Sequence, residues 1–257
     1  MFPKLTPVTK NILIICGIVY LITNFVNISF VNTDYLYRIL SGYYPFSPNF
    51  KSWQIITHMF MHARLNDNVG VMHILFNMMT LWSFGPILEQ VLGSKKFTIL
   101  YFVSGLGAFL VFNLWSFYEI NQLTQSLEAA GVNVAEIFHK ADFNYVGDLN
   151  NPGKTKLVQQ DVQSLFNNLQ GSMVGASGAI FGIIAAFATL FPDAKLMFMF
   201  IPFPIKAKYL LPIIIIVSLG LQFSGNMGGI AHLAHVGGAL FGFLLARNWK
   251  NNKYRIN

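Results

Sequence analysis

Ser177 stands at the mouth of an apolar stretch, within Gly171-Ser-Met-Val-Gly-Ala-Ser-Gly-Ala-Ile180, and His235 stands at the mouth of another. A serine hydroxyl is a weak nucleophile until a base takes its proton, and neutral imidazole is the usual base. His73 and Asn77 lie near the start of a third apolar stretch. Their ring N–H and amide, with the backbone N–H of Ser177, are donors suited to the negative charge that develops on an attacked carbonyl. These types point to a serine protease that cuts within a bilayer. No aspartate lies in the apolar stretches to orient His235, so the expected pair is a dyad.

The elements that must position these residues read as membrane helices. Hydrophobic residues make up 54% of the 257 and charged residues only 11%, with mean hydropathy +0.52. A soluble chain carries about 25% charged residues. A span needs roughly 20 predominantly apolar residues. Such runs cover about 11–31, 69–92, 97–117, 172–191, 209–223 and 231–249. The expected fold is therefore all-α, a polytopic bundle of six transmembrane helices in one membrane domain over 1–257. An extended outer loop occupies about 118–171.

Charge orients the bundle. With six spans both termini share one side, and that side holds eleven of the 17 lysines and arginines. Eight of the ten acidic residues fall on the other. The positive-inside rule puts the termini in the cytoplasm, and the first run reads as a retained signal anchor. The net charge of +7 is thus a topology signal, and no nucleic-acid partner is expected. The second, fourth and sixth runs all travel inward, so His73, Asn77, Ser177 and His235 fall within about two helical turns of a common depth. Three helix N-termini would aim partial positive charge at that depth. Gly175 and Gly178 flank the serine and permit close backbone approach. Gly238 and Gly242 form a small-residue step of the kind that lets helices meet tightly in lipid.

Four segments carry a resemblance: Gly175-Ala-Ser-Gly178, Ala234-His-Val-Gly-Gly-Ala-Leu-Phe-Gly242, His73-Ile-Leu-Phe-Asn77 and Phe84-Gly-Pro-Ile-Leu-Glu-Gln-Val-Leu-Gly-Ser94. In this order they resemble the signature segments of the rhomboid intramembrane serine proteases. The resemblance implies a Ser177 nucleophile, a His235 general base, an oxyanion pair in His73 and Asn77, and helix packing through Gly85, Glu89 and Gly93. It also implies single-span membrane proteins as substrates, cut near the outer leaflet at small residues in helix-breaking segments. No cofactor and no metal are expected. The localisation it suggests is a bacterial inner membrane, and the sequence sets no oligomeric state. A catalytically weak or inactive relative that binds membrane clients is the alternative, although such relatives typically lack the serine or the histidine.

Two departures stand out. The family's Trp-Arg of the first outer loop is Trp53-Gln54 here, which should affect loop anchoring. The 118–171 loop is long, and Leu157, Val158, Val162, Leu165, Phe166 and Leu169 recur in it at helical spacing. They predict an amphipathic helix in the headgroup region, which either covers part of the site's opening or is an insert without a gating role. His58 and His62 are four apart, but no carboxylate completes a metal site, and they are expected at the outer interface. Ser83 and Ser218 are expected to bond back to their own helices. The single Cys16 allows no internal disulfide. No His-Glu-x-x-His of a zinc protease and no paired intramembrane aspartates occur, and no continuous polar track marks a transporter.

Overall fold

The computed structural model describes residues 3–26, 33–67, 70–145, 149, 155–198, 201–210, 212–213, 215–216 and 229–253. Its helices in chain order are α1 (Pro7–Phe25), α2 (Thr33–Leu40), α3 (Gln54–Thr57), α4 (Gly70–Leu92), α5 (Ser94–Ala129), α6 (Val134–Lys140), α7 (Lys156–Gln170), α8 (Ser177–Leu190) and α9 (Gly229–Lys253). A two-stranded hairpin, β1 (Lys195–Phe198) and β2 (Ile201–Lys206), follows α8. Helices α1, α4 and α5 are each long and apolar enough to cross a membrane. The fifth expected run, about 209–223, lies largely outside the described residues, as does Ser218.

Helix α8 is the centre of the bundle. Gly178, Ala179, Ile180, Gly182, Ile183 and Ala185 through Ala188 are all buried, so this 14-residue helix is enclosed by α4, α5 and α9. Cys16, Leu81, Leu88, Leu100, Tyr101 and Ile183 complete the surrounding core. Large side chains such as Ile14, Ile18, Leu110 and Leu114 remain on the outer faces of α1 and α5, as lipid-facing surfaces require. At the end remote from Ser177, buried Glu89 of α4 fastens two neighbours. It accepts from the backbone N–H of Val8 and Thr9 at 2.9 Å each, from the Thr9 hydroxyl at 3.0 Å and from that of Thr6. It also accepts from Ser94, the first residue of α5, at 2.8 Å. A carboxylate on orphan N–H groups and at the positive end of a helix dipole is favourable twice over.

The structure departs from the sequence expectations in four places. Helix α5 runs unbroken for 36 residues to Ala129, so the expected outer loop begins with helix. The fourth helix starts at Ser177 rather than near 172, because the chain before it is held extended. Amphipathic α7 forms over the expected residues, with Thr155 as its N-cap accepting from Val158 N–H at 3.4 Å. Much of its apolar face packs on protein: Val162, Leu165 and Leu169 close a small core with Ile120, Leu127, Val134 and Ile137, while Leu157 stays exposed. The hairpin was not anticipated at all.

That small core makes a helical cap from the end of α5, α6 and α7, and the cap is tied to the chain between α1 and α4. Ser47 donates to the Leu169 carbonyl at 2.6 Å and Asn49 to that of Ala141 at 2.8 Å. Asn49 also accepts from Phe143 N–H at 3.1 Å. The Arg38 guanidinium lies 4.6 Å over the Phe143 ring. At the other edge of that segment Arg64 pairs with Asp34 and holds its carboxyl below the usual carboxylate range. Burial pushes the Tyr43 phenol up to about 12.

Candidate active site

The segment before α8 decides where Ser177 points. Met173 and Gly42 exchange backbone hydrogen bonds of 2.7 and 2.9 Å, and Gly175 N–H donates to the His58 carbonyl at 3.0 Å. Gly175 then turns with φ of +125°, a conformation glycine adopts without penalty. Ser177 is the first residue of α8, so its N–H has no acceptor within the helix.

The close approach of α8 and α9 brings the second residue in. A Cβ at Gly238 would run into the carbonyl of Gly178, and one at Gly242 into that of Gly182. With backbones in contact, Ser177 Oγ lies 2.9 Å from His235 Nε2. Phe181, one turn after the serine, stacks on the imidazole with centroids 4.1 Å apart and planes within 4°. Among the described residues no carboxylate bonds to His235. His232 lies one turn away, 6.1 Å between ring centroids.

His73 Nδ1 accepts from Ala63 N–H at 3.1 Å. That contact assigns the proton to Nε2, leaving an N–H donor on the far side of the ring. A Cβ at Gly175 would come 3.2 Å from His73 Nε2 and 3.3 Å from Ser177 Oγ. Any side chain at Gly175 would therefore crowd both His73 and Ser177. Asn77, on the same helix and buried, turns back and donates to the His73 carbonyl at 2.7 Å. One of its two amide protons is therefore engaged within α4.

The site's surroundings correct one expectation and answer another. His58 and His62 do not face out from the protein; both are 0% exposed. Nδ1 of His58 bonds the Gln54 carbonyl at 2.8 Å, and the His62 ring sits 5.4 Å from that of His73. They are buried because the chain between α2 and α4 folds inward against α5, His58 lying 4.9 Å from the Phe109 ring. Gln54 anchors this loop. Its amide donates to the carbonyls of Arg38, Ile39 and Asn49 at 3.3 Å each and accepts from Lys51 N–H at 2.8 Å. Ser83 bonds back to Met79 at 2.8 Å, as expected. Phe181 was missed, though its spacing of four from Ser177 is the signal that would have found it.

A family model described as the Rhomboid domain matches residues 49–135 and 155–249; the interruption falls inside the cap. Rhomboid protein 1, mitochondrial, of Saccharomyces cerevisiae is 27% identical over 175 residues, 67% of this chain and 36% of its own. RHOMBOID-like protein 1 of Arabidopsis thaliana is 27% identical over 193 residues, 75% of this chain and 33% of its own. Rhomboid protease GlpG of Salmonella choleraesuis is 34% identical over 102 residues, 39% of this chain and 32% of its own. The chain spans about a third of the length of the curated relatives it matches.

Proposed function

The chain is an integral membrane protein that belongs to the rhomboid family, and from that premise we propose that it is an intramembrane serine endopeptidase. The observation that carries this reading is the 2.9 Å contact between Ser177 Oγ and His235 Nε2. Ser177 attacks the scissile carbonyl while His235 Nε2 takes its proton. The carbonyl electron pair moves onto oxygen, for which His73 Nε2–H and the Ser177 N–H are the donors. His235 returns the proton to the leaving amine as the C–N bond breaks, leaving an acyl-serine. A water, deprotonated by the same imidazole, releases the new carboxyl terminus and restores Ser177. Positioned donors in a water-poor site are the largest single source of such rate acceleration.

The substrates of this reading are single-span membrane proteins with small residues in a helix-breaking segment near the outer leaflet. The charge distribution supports both termini on the cytoplasmic face. The reading places the chain in a bacterial inner membrane as one membrane domain whose site opens away from the cytoplasm. The test is labelling by a fluorophosphonate probe together with cleavage of a single-span reporter in detergent. Wild type is expected to label and cut, and Ser177→Ala and His235→Ala to do neither while remaining folded. Cleavage by Ser177→Ala overturns the mechanism, and a wild type that neither labels nor cuts points to a client-binding protein.

A further inference from the structure

The end of α8 remote from Ser177 carries the hairpin β1–β2, which the catalytic reading does not use. Its sequence from Leu196 to Ile205 is ten residues without a charge. The antiparallel register sets Lys195 opposite Lys206 and Leu196 opposite Ile205. Two lysines therefore close the base of an apolar ribbon, although like charges directly opposite each other destabilise a strand pair. Asp193 answers only part of this charge, lying 3.2 Å from Lys208 Nζ and 3.6 Å from Lys206 Nζ. Lys195 is exposed and has no ion pair among the described residues. Lys95 and Lys96 at the start of α5 and Arg247 and Lys250 in the last turns of α9 add cations at the same end. Lys250 reaches the Thr189 carbonyl at the foot of α8.

Two physical limits fix where such a ribbon can lie. Among the described residues the two strands pair with each other and with no third, and an isolated two-stranded ribbon is marginal in water. Nor can it sink into hydrocarbon, where its open edges would leave N–H and C=O groups without partners. The headgroup boundary meets both limits: it hydrates the edges, takes apolar side chains, and offers phosphates to the lysines. We propose that the hairpin is an interfacial foot seated on anionic lipid headgroups of the leaflet opposite Ser177, with Lys195 and Lys206 on phosphates. Exposed Tyr209, with Lys208 Nζ 5.6 Å from its ring centroid, marks the same boundary.

The test uses the full chain, with Cys16→Ala and a single cysteine placed by Phe198→Cys or, on the other strand, Phe203→Cys, carrying the dye NBD. Nanodiscs of phosphatidylcholine, with or without phosphatidylglycerol, leave both faces open to dithionite. Bleaching at either hairpin position is expected to be several-fold slower than at exposed Gln125 labelled likewise. Phosphatidylglycerol is expected to slow it further, and the double variant Lys195→Gln/Lys206→Gln to remove that lipid effect. Bleaching as fast as at position 125 overturns the foot. Shielding that ignores phosphatidylglycerol, or a lipid effect that survives the double variant, overturns the lysine–phosphate contact. Turnover plays no part in the readout, so the result is the same in a Ser177→Ala background.

Discussion

Gly175 concentrates the site's demands on one backbone position. A methyl group there would crowd His73 and Ser177 and would have to adopt φ of +125°. Gly175→Ala is expected to cost about 1–3 kcal/mol of stability and to slow fluorophosphonate labelling at temperatures where the protein remains folded. His73→Ala removes one donor from the oxyanion position, and turnover of the reporter should fall about 10²–10³-fold with little change in thermal unfolding. The meeting of Ser177 and His235 was legible because each opens an apolar stretch of the same direction. The inward fold of His58 and His62 was not, since a spacing of four says which side chains share a face but not whether protein or water covers it. Likewise Gln54 read as a loss, because one residue type cannot reveal that three carbonyls have gathered around its amide.

At the scale of elements, the bundle depends on contacts that hydropathy does not see. Glu89→Gln keeps the shape but loses the charge that α1 and α5 share at their N-terminal ends. We expect about 1–3 kcal/mol of destabilisation from weakened charge-assisted bonds, seen as a lower unfolding temperature in detergent. Labelling of Ser177 per folded molecule is expected to persist, because Glu89 lies at the end of the bundle remote from it. Long apolar runs made α1, α4 and α5 readable. The true start of α8 was hidden, since the residues before it carry no charge and tertiary bonds to Gly42 and His58 hold them out of the helix. The hairpin escaped for a related reason: an apolar segment containing Pro202 and Pro204 shows neither helical nor alternating periodicity. Burial of α7 against α5 and α6 was equally out of reach, because an amphipathic face names no partner.

For the whole molecule, the short central helix has a consequence for where the proposed cut would fall. Helix α8 is 14 residues long, about 21 Å, against roughly 30 Å of hydrocarbon. Because α8 is walled by longer helices, the depth of Ser177 is set by protein and not by the surrounding lipid. A substrate helix has no such wall and rides up or down with the thickness of the membrane that holds it. On the proposed function the protein is then a fixed blade against a sliding ruler, graduated at about 1.5 Å per residue. Reconstitution into lipids of increasing acyl length should shift the scissile bond along the substrate by whole residues, read by mass spectrometry of the products. A cut site that stays put across that series would mean that side-chain recognition, and not depth, chooses the bond.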